Sequence, residues 1–140
     1  MDLATPPPVP AGFEPRPRRS QVTAGWEPLY VRLTPEAQII GLYLAAVHCN
    51  SFGLMHGGVI ATLADSAMAN SVSRHYDHPV LPITTNLSVD YIGAAKRGQW
   101  VDFTTVFVKA RKTIAFASLF VHADGEPVAR ANATFRVTPR

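Results

Sequence analysis

Only one stretch of this chain can make a long helix, and almost everything around it is patterned for strands. Residues 56 to about 74 contain no proline and four alanines, and their apolar residues recur at helical spacing. Ile60, Leu63, Ala64, Ala67 and Ser71 share one side of that helix. Asp65 falls roughly opposite, beside Ala61, Thr62 and Ala69. A solvated face would carry lysine and glutamate, and this helix has neither. Both faces are therefore expected to be covered.

Strand-like runs occupy 29–33 and 38–48 before the helix. After it they occupy 83–92, 100–109, 113–122 and 128–137. In the first of these later runs Ile83, Thr85, Leu87, Val89 and Tyr91 alternate with Thr84, Asn86, Ser88 and Asp90. The 38–48 run is largely apolar, as in a strand covered on both faces. Asp124-Gly125 is a hairpin signal. One helix with an antiparallel sheet of about six strands is an α+β layout. Such a helix covers one face of its sheet, so the other face or an edge needs a partner.

At 140 residues the chain is large enough for a single domain with a real core. Charged residues make up only 16% of it, against about a quarter in ordinary globular domains. Surface hidden between copies would explain the deficit. The net charge of +3 is modest, and Arg16, Arg18 and Arg19 all lie in the N-terminal segment, which argues against a nucleic-acid surface. The single cysteine, Cys49, excludes an internal disulfide and fits a reducing, cytoplasmic compartment. No stretch is long and apolar enough to cross a membrane as a helix. Residues 1–25 read as a disordered lead-in, because the first twenty hold six prolines and no apolar core. They also lack the pattern of a secretory signal. The folded domain is expected over 26–140.

Chemistry concentrates in 48–70. Gly57 and Gly58 stand where the helix begins, so their N–H groups are expected to be unpaired and to face whatever approaches. Asp65, about two turns on, is the only acid between Glu36 and Asp77. Backbone donors near a lone carboxylate suit a site that holds a carbonyl and attacks it. His75-x-x-His78 with Asp77 falls far short of a metal ligand set, so no metal is expected. His48 and His122 read as packed or surface side chains, and Cys49 as a small buried one.

The run Asn50-x-x-Gly53-x-x-His56-Gly57-Gly58, followed by Leu63-Ala64-Asp65, resembles the signature of the hotdog-fold acyl-CoA thioesterases, in particular their PaaI-like branch. The resemblance extends over residues 28 to 138. It implies a curved antiparallel sheet wrapped around one long central helix, in a homodimer or homotetramer with sites between protomers. It implies hydrolysis of an acyl-CoA thioester to free acid and CoA, with no cofactor because CoA is part of the substrate. By the same resemblance Asp65 is the catalytic nucleophile or general base, and the Gly57 N–H polarises the thioester carbonyl. Asn50 positions the carbonyl or the water, His56 shapes the turn, and His56, Gly58 and Thr85 are candidates for contacting the substrate or CoA. Thr84, or Thr85 beside it, assists the water from the partner chain. Lys96 and Arg97 in one turn, and Arg111 and Lys112 in another, are candidates for the CoA phosphates. Two other readings stay open: a hydratase or dehydratase of the same fold using His56, and a non-catalytic acyl-CoA binding protein.

Overall fold

The structure, a computed structural model, describes residues 7–17 and 20–140. Seven strands form one antiparallel sheet: β1 (Glu14–Pro15), β2 (Tyr30–Leu33), β3 (Gln38–Tyr43), β4 (Val80–Tyr91), β5 (Trp100–Ala110), β6 (Ile114–Ala123) and β7 (Glu126–Pro139). Their order across the sheet is β1-β2-β3-β5-β6-β7-β4. A single helix, α1 (Gly57–Ser73), packs on one face against β3, β4, β5, β6 and β7. This is the hotdog arrangement, with seven strands where the sequence suggests about six.

The additional strand comes from the proline-rich segment. Its described residues, expected to be disordered, pair and pack. Glu14 sits opposite Val31 and Pro15 opposite Tyr30. The Phe13 ring meets Trp100 edge-on at 5.0 Å, and the Tyr43 hydroxyl donates to the Pro8 carbonyl at 2.8 Å. Short aromatic contacts can order a segment whose composition alone would not. The expectations for residues 1–6, Arg18 and Arg19 lie outside the described residues.

The core fills the space between helix and sheet. Ile60, Leu63, Ala64, Ala67 and Ser71 are all buried, as their helical spacing requires. Inward residues of the strands, among them Leu42, Phe103, Leu119 and Phe135, meet them. The Ser71 hydroxyl accepts the Gln38 N–H at 3.1 Å, which ties the helix to the start of β3. The opposite face, bearing Asp65, is only half-buried in the single chain.

Two local departures from the sequence pattern matter for the site. The 38–48 run stops being a strand at Tyr43, and Ala46–His48 makes a 3₁₀ turn. Buried His48 closes that turn: its Nδ1 accepts the Ala45 N–H at 3.0 Å, and its Nε2 donates to the Trp26 carbonyl at 2.9 Å. In β4 a bulge at Thr85 breaks the alternation. Thr84 pairs with inward-facing Phe135, and Leu87, Val89 and Tyr91 pair with inward-facing alanines of β7. Ile83 is turned to the outer face with Thr85.

Gly41 has no room for a side chain. An added Cβ would lie 2.2 Å from the Trp100 ring and 2.9 Å from Phe13. Gly41→Ala is therefore expected to lower stability by about 1–3 kcal/mol, as overpacking does, and a thermal melt would read it. Among the described residues no helix is long and apolar enough to cross a membrane.

Candidate active site

The loop ahead of α1 is shaped by its own polar side chains. Asn50 Oδ1 accepts the N–H groups of Phe52 at 2.9 Å and Leu54 at 3.3 Å. Gly53 takes a φ of +74°, where glycine is favoured. The Asn50 oxygen is thus committed to the loop, and its Nδ2 carries the side chain's donors. Leu54 bridges to Lys96, and the Arg97 N–H donates to the Gly53 carbonyl at 3.3 Å. The turn carrying Lys96 and Arg97 is thereby fixed beside this loop.

His56 caps the helix. With φ −64° and ψ 133° it is extended, and its Nδ1 accepts the Gly58 N–H at 2.8 Å. Gly58 is therefore not a free donor, contrary to the sequence expectation, because its N–H donates to the imidazole next to it. Gly57 differs. At the first helical position its N–H has no intrahelical acceptor. The dipole of the 17-residue helix also favours negative charge there.

Tyr91 completes this end, and sequence reasoning did not single it out for the site. Its hydroxyl donates to the Gly57 carbonyl at 2.6 Å. A Cβ on Gly57 would lie 3.3 Å from three atoms of the Tyr91 side chain. A tyrosine that ends a strand on the helix-facing side was the only available signal, and most such residues are core.

Asp65 occupies a separate place. Half-buried on α1, it accepts a hydrogen bond at Oδ1 from the Thr84 hydroxyl at 2.6 Å. The bulge at Thr85 is what turns Thr84 toward it. The pair lies within one chain, so the expectation that a partner supplies Thr84 is corrected. Thr85 faces the other way and donates to the Thr134 carbonyl at 3.0 Å. Asp65 and Thr84 line a cavity of about 490 Å³ that also touches Arg16 and Arg74.

Arg111 and Lys112 stand at the far end of the molecule from Lys96 and Arg97. The whole of β5, 11 residues or about 33 Å, separates the two turns, so they do not converge within one chain. Arg111 and Lys112 line a cavity of about 880 Å³ with Thr85, Tyr76 and a further cation, Arg136. The Tyr76 hydroxyl donates to the Arg111 carbonyl at 2.6 Å, and burial pushes its pKa up. Arg136 escaped the sequence reading because it is far from the turn in the chain and reaches it only through β6–β7 pairing, opposite Ile114.

The two histidines after the helix are engaged separately. His75 Nε2 donates to the Glu36 carbonyl at 2.8 Å, and His78 Nδ1 lies 2.8 Å from Asp77. That hydrogen bond and the adjacent imidazole hold the Asp77 carboxyl below its ordinary value.

Comparison with known proteins identifies the family. The thioesterase superfamily profile matches residues 52–129. A Pseudomonas aeruginosa protein that carries an esterase name is 32% identical over 130 residues, covering 92% of this chain and 97% of its own. Acyl-coenzyme A thioesterase 13 of Mus musculus is 30% identical over 89 residues. That match covers 64% of this chain and 63% of the mouse protein. A mutant structure of phenylacetic acid degradation protein PaaI from Thermus thermophilus aligns with a TM-score of 0.68 at 27% identity, over 77% of this chain and 92% of that one. The profile covers the capped helix and the Thr84 bulge together, and the first relative extends the likeness to nearly the whole chain; this protein belongs to the thioesterase superfamily.

Proposed function

We propose that the chain hydrolyses acyl-CoA thioesters at a site assembled from two copies of itself. One observation carries this reading. Gly57 and Asp65 are eight residues apart on one helix, about 12 Å along its axis. Reacting atoms must come within about 3–3.5 Å. An oxyanion donor and a base so far apart cannot serve one carbonyl, so each site needs the Gly57 end of one copy and the Asp65–Thr84 pair of another. A two-fold dimer makes two such sites at once. The half-covered helix face and the edge position of β4 leave surface for that partner. The name of the mouse relative supplies the substrate class.

In the hydrolytic step Asp65 takes a proton from water as the water oxygen bonds to the thioester carbon. The carbonyl oxygen becomes an oxyanion and accepts the Gly57 N–H of the facing protomer. Collapse breaks the C–S bond, the thiolate of CoA takes the proton from Asp65, and the free acid leaves. Thr84 holds Oδ1 of Asp65, which leaves Oδ2 to carry the proton. Direct attack by Asp65 on the thioester carbon, breaking the C–S bond and releasing CoA as thiolate, gives an anhydride that water then opens to the free acid with the same groups. The Asn50 Nδ2 donors orient the carbonyl or the water. Arg111, Lys112 and Arg136, gathered in one cavity, suit the CoA phosphates. A hydratase would have to work through His56 Nε2, because Nδ1 is committed to the Gly58 N–H.

Thiol release from a panel of acyl-CoAs tests the reaction, and absorbance change of an enoyl-CoA without thiol release would support a hydratase instead. Subunit mixing tests the assembly. Asp65→Asn and Gly57→Pro variants, each inactive alone, are unfolded and refolded together. Random pairing into symmetric dimers should restore about a quarter of wild-type activity, because half the dimers then hold one intact site. Recovery of no activity would refute a site split between Gly57 and Asp65.

A further inference from the structure

The cavity beside Asp65 carries more positive charge than hydrolysis requires. It holds about 490 Å³, and its lining includes Val31, Leu33, Arg16, Asn70 and Arg74. Among the described residues Asp65 is its one acidic group. Neither guanidinium lies within ion-pairing distance of a carboxylate among the described residues; the ion pairs there join Asp77 to His78, Asp102 to His122 and Asp90 to Arg130.

Both arginines are anchored with donors to spare. Arg16 Nη2 donates to Thr23 Oγ1 at 2.9 Å, and the Arg16 N–H to the Leu29 carbonyl at 2.7 Å. Arg16 Nε is buried with no partner among the described residues. Arg74, exposed just past the end of the helix, donates from Nε to the Thr34 carbonyl at 2.8 Å. A guanidinium has five N–H donors in a planar fork suited to a carboxylate. Each of these side chains uses one. A hydrocarbon tail placed here would face unpaired charge and polar hydrogens, which is unfavourable.

We propose that this cavity receives the far end of the acyl group and that Arg16 and Arg74 select acyl chains ending in a carboxylate. The inference rests on the hydrolytic reading of Asp65 and adds the substrate class. Arg74 lies nine residues beyond Asp65, about 13 Å along the helix axis. A carbonyl at Asp65 and a carboxylate near Arg74 are therefore separated by a chain of moderate length. The β1–β2 region, which holds Arg16, becomes part of the specificity apparatus.

The test compares matched pairs: hexanedioyl-CoA against hexanoyl-CoA, and octanedioyl-CoA against octanoyl-CoA, by thiol release. Wild type should prefer the carboxylate-ended member by about tenfold or more in kcat/KM, as charge-assisted hydrogen bonds give. Arg16→Met and Arg74→Met should each reduce that ratio toward one. Arg16→Lys, which keeps the charge without the fork, should fall between. Arg74 is exposed, so its variant tests the proposal even where Arg16→Met fails to fold. Equal turnover of the paired substrates by wild type would overturn it. So would an equal loss on both members of a pair in the variants, because that marks contact with CoA phosphate rather than with the acyl end. Turnover of other acyl-CoAs with no use of the diacid esters would overturn this inference and leave the hydrolytic reading standing. No thiol release from any acyl-CoA would instead remove the hydrolytic reading itself.

Discussion

Asp65→Asn is expected to lower kcat on a good acyl-CoA substrate by about 10²–10⁴-fold, the range lost with a general base. KM should change little, because the amide keeps the size of the carboxylate and can still accept from Thr84. The neighbouring hydroxyl supplies a graded companion. Thr84→Val removes the 2.6 Å hydrogen bond to Asp65 Oδ1, and a bond to a charged group contributes about 1.5–3 kcal/mol. Because both groups are partly open to water, a kcat loss of roughly tenfold is the expected result, while Thr84→Ser should retain most activity. Near wild-type turnover in Asp65→Asn would remove Asp65 from the reaction.

Gly57→Pro should cost about 10²–10³-fold in kcat, as loss of one oxyanion donor does. Proline is suited to this experiment. It removes the backbone N–H and is tolerated at the first position of a helix. The preceding residue must be extended, and His56, with φ −64° and ψ 133°, already is. Proline also adds a Cβ, which would lie 3.3 Å from the Tyr91 side chain. Gly57→Ala carries the same Cβ but keeps the N–H, so it separates the two effects. A modest loss in alanine beside a large one in proline assigns the N–H to the oxyanion. Similar losses in both would assign the effect to crowding against Tyr91. Circular dichroism of the variants checks that the helix is intact.

Local patterns made much of this legible in advance. Alanine-rich, proline-free helical spacing marked α1, and its buried side is the one predicted. Asp124-Gly125 marked the β6–β7 hairpin, where both residues take positive φ. Asn50 and His56 were placed in a shaped loop because a polar run ending in two glycines has few other uses, and their hydrogen bonds are all local. What failed involved contacts distant in sequence. The composition of the proline-rich segment, poor in apolar surface, points to disorder, yet Phe13 meets Trp100 across the fold. Apolar patterning alone extends the 38–48 strand too far, because His48 closes its turn only with Trp26 beside it.

The sequence by itself determined the one helix, the later strands, and the presence of a helix-start donor near an isolated acid. Those follow from periodicity and from the unpaired N–H groups that any helix start presents. Tertiary structure alone decided which residues meet. The bulge at Thr85 turns Thr84 toward Asp65, strand pairing brings Arg136 to Arg111, and folding of the N-terminal segment sets Arg16 into the Asp65 cavity. Each of these depends on a register or a contact between residues far apart in the chain, and a one-residue slip in a strand exchanges its two faces. The helical rise then separates Gly57 from Asp65 by more than one carbonyl can span.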